Sequence, residues 1–523
     1  MVVLIFLIVT YLLFCFTLKP LFEKAGIEGN KAWIPWVNFK EAFKMVGDKP
    51  NRVWWLLFPI YNLFVFIGLC IDIVRSFGRY SFADSAQAFI YAPFIFFNIG
   101  KDPKSKYVGP TLKLEKEYHD RITEAQRKND LVTLKRLDAA NPYKKGMLRE
   151  WTGAAVFAIF AAAFIRMFLI EAYQIPTSSM EGSLLVGDYL FVSKANYGIR
   201  TPETVAMVPL VHNRMPFFDG ESYLKWPKLP YFRLPALEKI KRNDPVVFNY
   251  PEGDSVYFDP QRTWTIYDVR RDPAKAQFTV NKPLTVRPVD KEDHYIKRCV
   301  AIAGDTFEIR NREVFINGKA TVAPRFVQFT YIVSNPDGAV NMSSFDDWGI
   351  SPEDVLDVQG NNMALILNNE QIEKLKSQNP NIRIEPYKIP DRPLFPYDTA
   401  HFKGFSVDNY GPLWIPKKGA TLKISQDNIA AYRRVISVYE GNKLEEKAGK
   451  IFINGKEASE YTFKYDYYWM MGDNRHNSED SRYWGFVPET HIVGKPLFIW
   501  FSTKYADMKK GIRWNRIFTS ANK

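Results

Sequence analysis

The sequence predicts a mainly β, antiparallel outer domain with a β-rich insert, attached to an α-helical transmembrane N-terminal region. Three observations predict it. Four long apolar runs crowd into residues 1–172, and none follows. Beyond that point short, β-branched and aromatic runs recur: YLFVSKA, PVVFNYP, YIKRCVAIAG, EVFINGK, KIFINGK and HIVGKPLFIWF. Asn-Gly pairs at 317–318 and 454–455 are hairpin signals, because a two-residue turn of this kind needs a positive φ at both positions.

Residues 1–18 carry no charge and have the length of a membrane span; a cleaved signal peptide is the rival reading, weakened by the missing basic start and cleavage site. A second span is expected at Val53 to Ile71, with two tryptophans at its start and Pro59 as a kink. Phe82 to Ile99 is interrupted by Asp84, Gln87, Pro93 and Asn98, and reads as either a span or a re-entrant segment. Gly153 to Ile170 is the strong span, with Arg166 placed to snorkel at its exit. Between the last two, residues 113–138 read as a charged helix.

The chain of 523 residues carries a net charge of +13, a balance that points first to nucleic acid or an anionic membrane. Its distribution favours the membrane. Residues 1–150 hold 22 basic and 14 acidic residues, and 20 of the 22 lie in loops 19–52 and 101–150. Basic loops stay on the cytoplasmic side, so the last span delivers everything after about residue 172 to the outside. Nucleic acid is then not needed as a partner. Apolar residues at 46% exclude wholesale disorder, and three cysteines exclude a disulfide scaffold or a four-cysteine metal site. No HExxH and no GxSxG occurs, so neither a zinc peptidase nor a hydrolase elbow is supported.

The expected layout is a multi-span anchor at 1–100, a cytoplasmic charged loop at 101–150 and the last transmembrane helix at 151–172. A catalytic domain follows in two parts, 173–319 and 431–505, separated by an insert at 320–430 and followed by a tail at 506–523. FINGK recurs at 315–319 and 452–456, and Tyr295 and Gly304 match Tyr432 and Gly441 at the same offset, which predicts a duplicated β-unit with Arg434 in the place of Lys297. A helix is expected at 368–377, and 214–237 reads as a long aromatic loop containing Phe217, Phe218, Trp226, Tyr231 and Phe232.

Candidate chemistry starts at Ser179, in a turn just after the last span; taken alone it is a turn residue. A serine nucleophile needs a base, and none of the histidines at 212, 294, 401, 476 and 491 carries a triad signature. Lys297 is the other candidate. Strand alternation sets it with Tyr295 and Cys299 and turns Arg298 the other way, and burial would lower its pKa; an edge-strand lysine is the plain alternative. Residues 470–488, MMGDNRHNSEDSRYWGFVP, form a polar stretch that reads as a loop held by ion pairs and Asx turns.

RMFLIEAYQIPTSSM after a span, RNDPVVFNYPEGD at 242–254, YIKR at 295–298 and GDNRHNSEDSRYWGFVP at 472–488 together resemble, in order, the signature boxes of bacterial type I signal peptidase. The resemblance covers about residues 165–310 and 430–500. It implies a Ser-Lys dyad endopeptidase that cuts exported preproteins after a small-x-small motif, on the outer face of the bacterial inner membrane and without a cofactor. It implies Ser179 as nucleophile and Lys297 as general base. Ser478 would orient the lysine amine, Asp480 and Arg482 would form a bracing ion pair with Asp473 nearby, and Thr177 would help the Ser179 N–H hold the oxyanion. Tyr295, Phe248 and Met470 would wall the lysine. Preprotein signal peptides and the lipid bilayer are the implied partners, with the secretion translocon a further candidate. Gly182 stands where the family often has Pro, and the extra spans and the insert depart from its simplest members. A self-cleaving regulatory Ser-Lys peptidase and a non-enzymatic receptor are the rival readings.

Overall fold

The structure is a computed structural model that describes the chain except residues 1, 59–60, 145, 205–206, 209, 212, 216–219, 227, 259–262, 391 and 523, and the side chains of 2–7 and 149. Pro59, His212, Phe217 and Phe218, singled out above, lie outside the described residues. Two compact units emerge: Met1–Phe164 with Val205–Leu224, and Ile165–Thr204 with Lys225–Lys523.

The first unit is helical. Helices Val2–Lys24, Val37–Val46, Tyr61–Arg75 and Phe82–Lys101 share a core that includes Phe14, Leu18, Phe22, Phe43, Leu69, Ile73, Ile95 and Phe96. Ile8, Leu12, Phe16, Ile90 and Phe94 are exposed. The expected second span is not one helix: Pro50–Leu57 is a 3₁₀ segment, opened by a proline at its first turn, and Tyr61–Arg75 is a separate helix of 15 residues, short of a bilayer's thickness. Phe82–Lys101 leaves helical backbone angles at Tyr91, two residues before Pro93, whose ring and missing N–H disrupt the preceding turn. Among the described residues one helix has the length and apolarity to cross a membrane, Glu150–Phe168. The charged helix expected at 113–138 is two helices, Thr111–Arg127 and Leu131–Ala139; Asn129 takes a positive φ and Asp130 caps the second.

The second unit is built on an eight-stranded antiparallel sheet. Its order is Ile170–Gln174, Asp188–Ser193, Ile492–Ser502, Pro245–Asn249, His294–Ala301, Tyr467–Met471 and Val487–Pro488, with Thr519–Ser520 also on Ile492–Ser502. Strand periodicity divides the core. Val246 and Phe248 join Cys299, Met470 and Trp484 in one cluster; Val247 joins Ile175, Met180, Leu190 and Ile499 in another.

The Asn-Gly pairs turn hairpins as expected, with φ of 52° and 77° at Asn317 and Gly318 and 52° and 82° at Asn454 and Gly455. The duplicated unit covers three strands, Thr306–Arg310, Glu313–Ile316 and Lys319–Ala320 recurring as Leu444–Lys447, Lys450–Ile453 and Lys456–Glu457 in the same register, but it does not extend back to the lysine strand. Residues matching the lysine strand form the helix Ile429–Arg434, so Arg434 is not a strand counterpart of Lys297. Ile429, Tyr432, Val435 and Ile436 recur at three- and four-residue spacing and are all buried, a helical rather than a strand period. In the expected insert, Phe329–Ser334, Val355–Gln359, Asn362–Leu367 and Arg383–Pro386 make a separate four-stranded sheet over helix Asn369–Gln378, one residue from its expected place. Tyr410–Trp414, also within 320–430, instead pairs with Thr306–Arg310.

Candidate active site

Ser179 sits in the 3₁₀ turn Ser178–Met180, between the strand Ile170–Gln174 and the strand Asp188–Ser193. The turn is held from the polar loop. Asn474 N–H donates to Ser179 O at 3.1 Å, and the Asn474 and Asn477 amides donate to Ser178 O and Ser178 Oγ at 3.3 and 2.9 Å. The close approach needs a glycine: a Cβ on Gly472 would lie 2.5 Å from Ser179 O and 2.4 Å from Ser478 Oγ. Gly472→Ala must therefore push the serine turn away. We expect it to lower kcat about 10²-fold, measured on purified protein, with a smaller change in KM, as displacement of a reacting group by about 1 Å does.

Lys297 lies on His294–Ala301, opposite Val246, while Tyr295 is opposite Phe248. Its Nζ is 2.6 Å from Ser179 Oγ and 3.1 Å from Ile296 O, across 118 residues of sequence. Only 3% of the residue is exposed. Burial pushes the amine down from 10.5 to about 8, against the upward pull of Asp480, Glu479 and Asp473. Phe248 and Met470 are fully buried in one apolar cluster with Tyr295, whose ring centroid is 5.5 Å from Nζ and which stacks on Tyr250. An amine with this pKa is neutral in a useful fraction near pH 8 and can take a proton from the hydroxyl it touches.

The supporting residues fall partly where expected. Arg482 Nε and Nη2 donate to the two Asp480 oxygens at 2.9 and 2.8 Å, with both side chains buried. Burial pushes the Asp480 carboxyl up, but the Arg482 guanidinium and the Gly472 N–H outweigh it and hold it below the usual range. Thr177 is exposed at the start of the serine turn, and its hydroxyl makes no capping bond. Ser478 is a correction: its hydroxyl is buried next to Gly472 and makes no hydrogen bond to Lys297. Arg166, expected to snorkel, pairs with Glu171 at 2.9 Å.

Sequence reasoning turned Arg298 away from Lys297 but missed its buried ion pair. The strand turns it away from Lys297 as alternation requires, yet it is buried rather than solvated. Its Nε and Nη2 donate to the two Asp473 oxygens at 2.7 and 2.6 Å, and Ser183 Oγ donates to the same carboxylate at 2.5 Å. Asp473 thus ties the lysine strand, the polar loop and the segment after the nucleophile together. His476 lines the cleft with Ser179, but both ring nitrogens are engaged: Nδ1 accepts from Thr330 N–H at 3.1 Å and Nε2 lies 2.8 Å from Asp408 Oδ1. That leaves no ring nitrogen for a serine–histidine pair.

The insert also reaches the site. Gln328 N–H donates to Asp473 O at 2.8 Å and Gln328 O accepts from Arg475 N–H at 3.0 Å. Phe326 O packs against Gly182, whose φ is +93° and whose Cβ would lie 2.4 Å from it. Proline, fixed near −65°, cannot take that conformation, so Gly182 belongs with the insert that presses on it.

The cleft around Ser179 and Lys297 has a volume of about 730 Å³ and is lined by Ile175, Met180, Leu190, Val247, Tyr250, Asp268, Ile296, Arg392 and Tyr483 among others. The family described as signal peptidase, peptidase S26 matches residues 148–362 and 418–501, and residues 30–110 match a family of unknown function. Signal peptidase I of Haemophilus influenzae is 24% identical over 370 residues, covering 70% of this chain and 74% of that protein. Signal peptidase I of Helicobacter pylori is 24% identical over 382 residues (71% and 91%), and that of Aquifex aeolicus 23% over 351 residues (66% and 81%).

Proposed function

Since the chain belongs to the signal peptidase, peptidase S26 family, and is thus a serine peptidase that removes signal peptides, we propose that it does so with Ser179 as nucleophile and Lys297 as general base. The observation that carries this reading is the 2.6 Å contact between a buried, pKa-lowered amine and the hydroxyl. Neutral Lys297 takes the Ser179 proton as Oγ attacks the scissile carbonyl. The Ser179 N–H and the Thr177 hydroxyl face the developing oxyanion. The ammonium then returns its proton to the leaving amine as the C–N bond breaks. Lys297, neutral again, activates the water that releases the acyl group as a carboxylate. Met180, Ile175 and Ile296 form the apolar part of the cleft that would take the small residues of a small-x-small motif.

In the same reading Asp480 with Arg482, and Asp473 with Arg298, brace the polar loop; Ser478 packs against Gly472 rather than steering the amine. Residues 1–100 and the helix Glu150–Phe168 anchor the enzyme in a bacterial inner membrane, the catalytic domain lying outside, as the basic loops require. The domain layout expected from the sequence is kept as part of this reading, with the separate sheet of 329–386 as the insert's core and Tyr410–Trp414 joined to the catalytic part.

The test is the pH profile of preprotein cleavage by the full chain in detergent. The base must be neutral, so kcat/KM is expected to rise about tenfold per unit below pH 8 and to level off above it. A rate independent of pH between 6 and 9 would remove Lys297 as the base. The same lowered pKa makes stability rise with pH between about 8 and 10.5, because there the unfolded chain holds the lysine proton and the folded one has released it.

A further inference from the structure

The cleft has two chemically different ends. One is walled by Ile175, Met180, Leu190, Val247 and Ile296, which pack together in one apolar cluster. The other carries Asp268, Glu479, Tyr483 and Arg392. Arg392 comes from residues 363–417, which the family match leaves out, so this part of the wall is an addition of this chain.

Its backbone is tethered to the polar loop. Phe395 N–H donates to Arg482 O at 2.9 Å, the Tyr397 hydroxyl donates to Tyr483 O, and the Arg271 guanidinium lies 4.3 Å from the Tyr397 ring centroid. The Arg392 charge is felt at the Tyr483 phenol. The side chain itself is exposed and pairs with no carboxylate among the described residues. Asp268, which shares this end, is occupied in capping a helix, where Thr265 N–H and Oγ donate to it at 3.0 and 2.8 Å.

We propose that Arg392 is a specificity residue for the mature side of the preprotein, pairing with a carboxylate in the first residues after the scissile bond. Residues before the bond enter the apolar end, where a charged side chain would lose its hydration without a partner. The charged end therefore takes the residues after it, and its unpaired guanidinium favours an acidic side chain there. The proposal rests on Ser179 and Lys297 being the reacting pair.

The test uses the full chain in detergent at low salt and three preproteins that differ only at the first two mature positions, with Asp, Asn or Lys. Wild type is expected to cleave the Asp form about threefold to tenfold better in kcat/KM than the Lys form, the range of a partly exposed pair plus the matching repulsion. Arg392→Gln should level the two, and Arg392→Glu should reverse them. In wild type the Asn form, which carries no charge there, should fall between the Asp and Lys forms, and raising the salt should shrink the wild-type preference. An Asp-to-Lys ratio unchanged in both variants overturns the role of Arg392. Cleavage of none of the three preproteins by wild type would instead overturn the reading of the site, and the proposal with it.

Discussion

Preprotein cleavage is expected to fall by about 10⁴-fold or more in Ser179→Ala and equally in Lys297→Arg, because nucleophile and base act as one unit and losing either loses both. The arginine variant is the sharper test. It keeps the positive charge and most of the stem, but a guanidinium stays protonated throughout the working pH range and cannot accept the Ser179 proton. Single-turnover cleavage of a preprotein in detergent measures both, with circular dichroism confirming that the proteins are folded. Activity of either variant within tenfold of wild type would end the dyad assignment. Lys297→Met should be equally inactive yet more stable near pH 7 by on the order of 2 kcal/mol, since the folded protein no longer holds an amine that burial disfavours.

Asp473→Ala is expected to destabilise the catalytic unit by about 3–5 kcal/mol, the usual cost of stranding one member of a buried ion pair. Arg298 is 2% exposed and Asp473 fully buried, so the guanidinium left behind would have no water to replace the carboxylate. The reason is tested by the double variant. Asp473→Ala with Arg298→Met removes the stranded charge and should recover most of the loss, because replacing a buried pair by apolar groups is often near neutral. Urea unfolding followed by tryptophan fluorescence reads this through Trp469 and Trp484, both buried in the catalytic unit. Equal destabilisation of the single and double variants would show that the pair's charge is not what the loop depends on.

Much of the architecture was legible because its signals are local. The runs YLFVSKA, PVVFNYP and HIVGKPLFIWF became neighbouring strands of one sheet, and both Asn-Gly pairs turned hairpins, since β-branching and positive φ are properties of a few adjacent residues. The same local reasoning failed where a matching sequence met a different environment. Residues 429–434 fold as a helix because Ile429, Tyr432 and Val435 bury one helical stripe, whatever their likeness to 292–297. Hydropathy alone likewise overcounted single spanning helices. A run such as Val53 to Ile71 is apolar enough in total, but its backbone is divided between a 3₁₀ segment and a shorter helix.

By itself, then, the sequence determined the strand-rich domain after residue 172, the apolar, basic-flanked N-terminal region, and the order of the serine, lysine and polar-loop boxes along the chain. The tertiary structure alone decided which side chains meet. Ser179 and Lys297 are 118 residues apart, and Arg298 and Asp473 are 175 apart. It engaged both nitrogens of His476, left the Ser478 hydroxyl without a hydrogen bond to the amine, set Phe326 against Gly182 and brought Arg392 to the cleft. Each of these depends on packing between segments remote in the chain. Burial and hydrogen bonding then set the energy of the charge, which residue spacing cannot express.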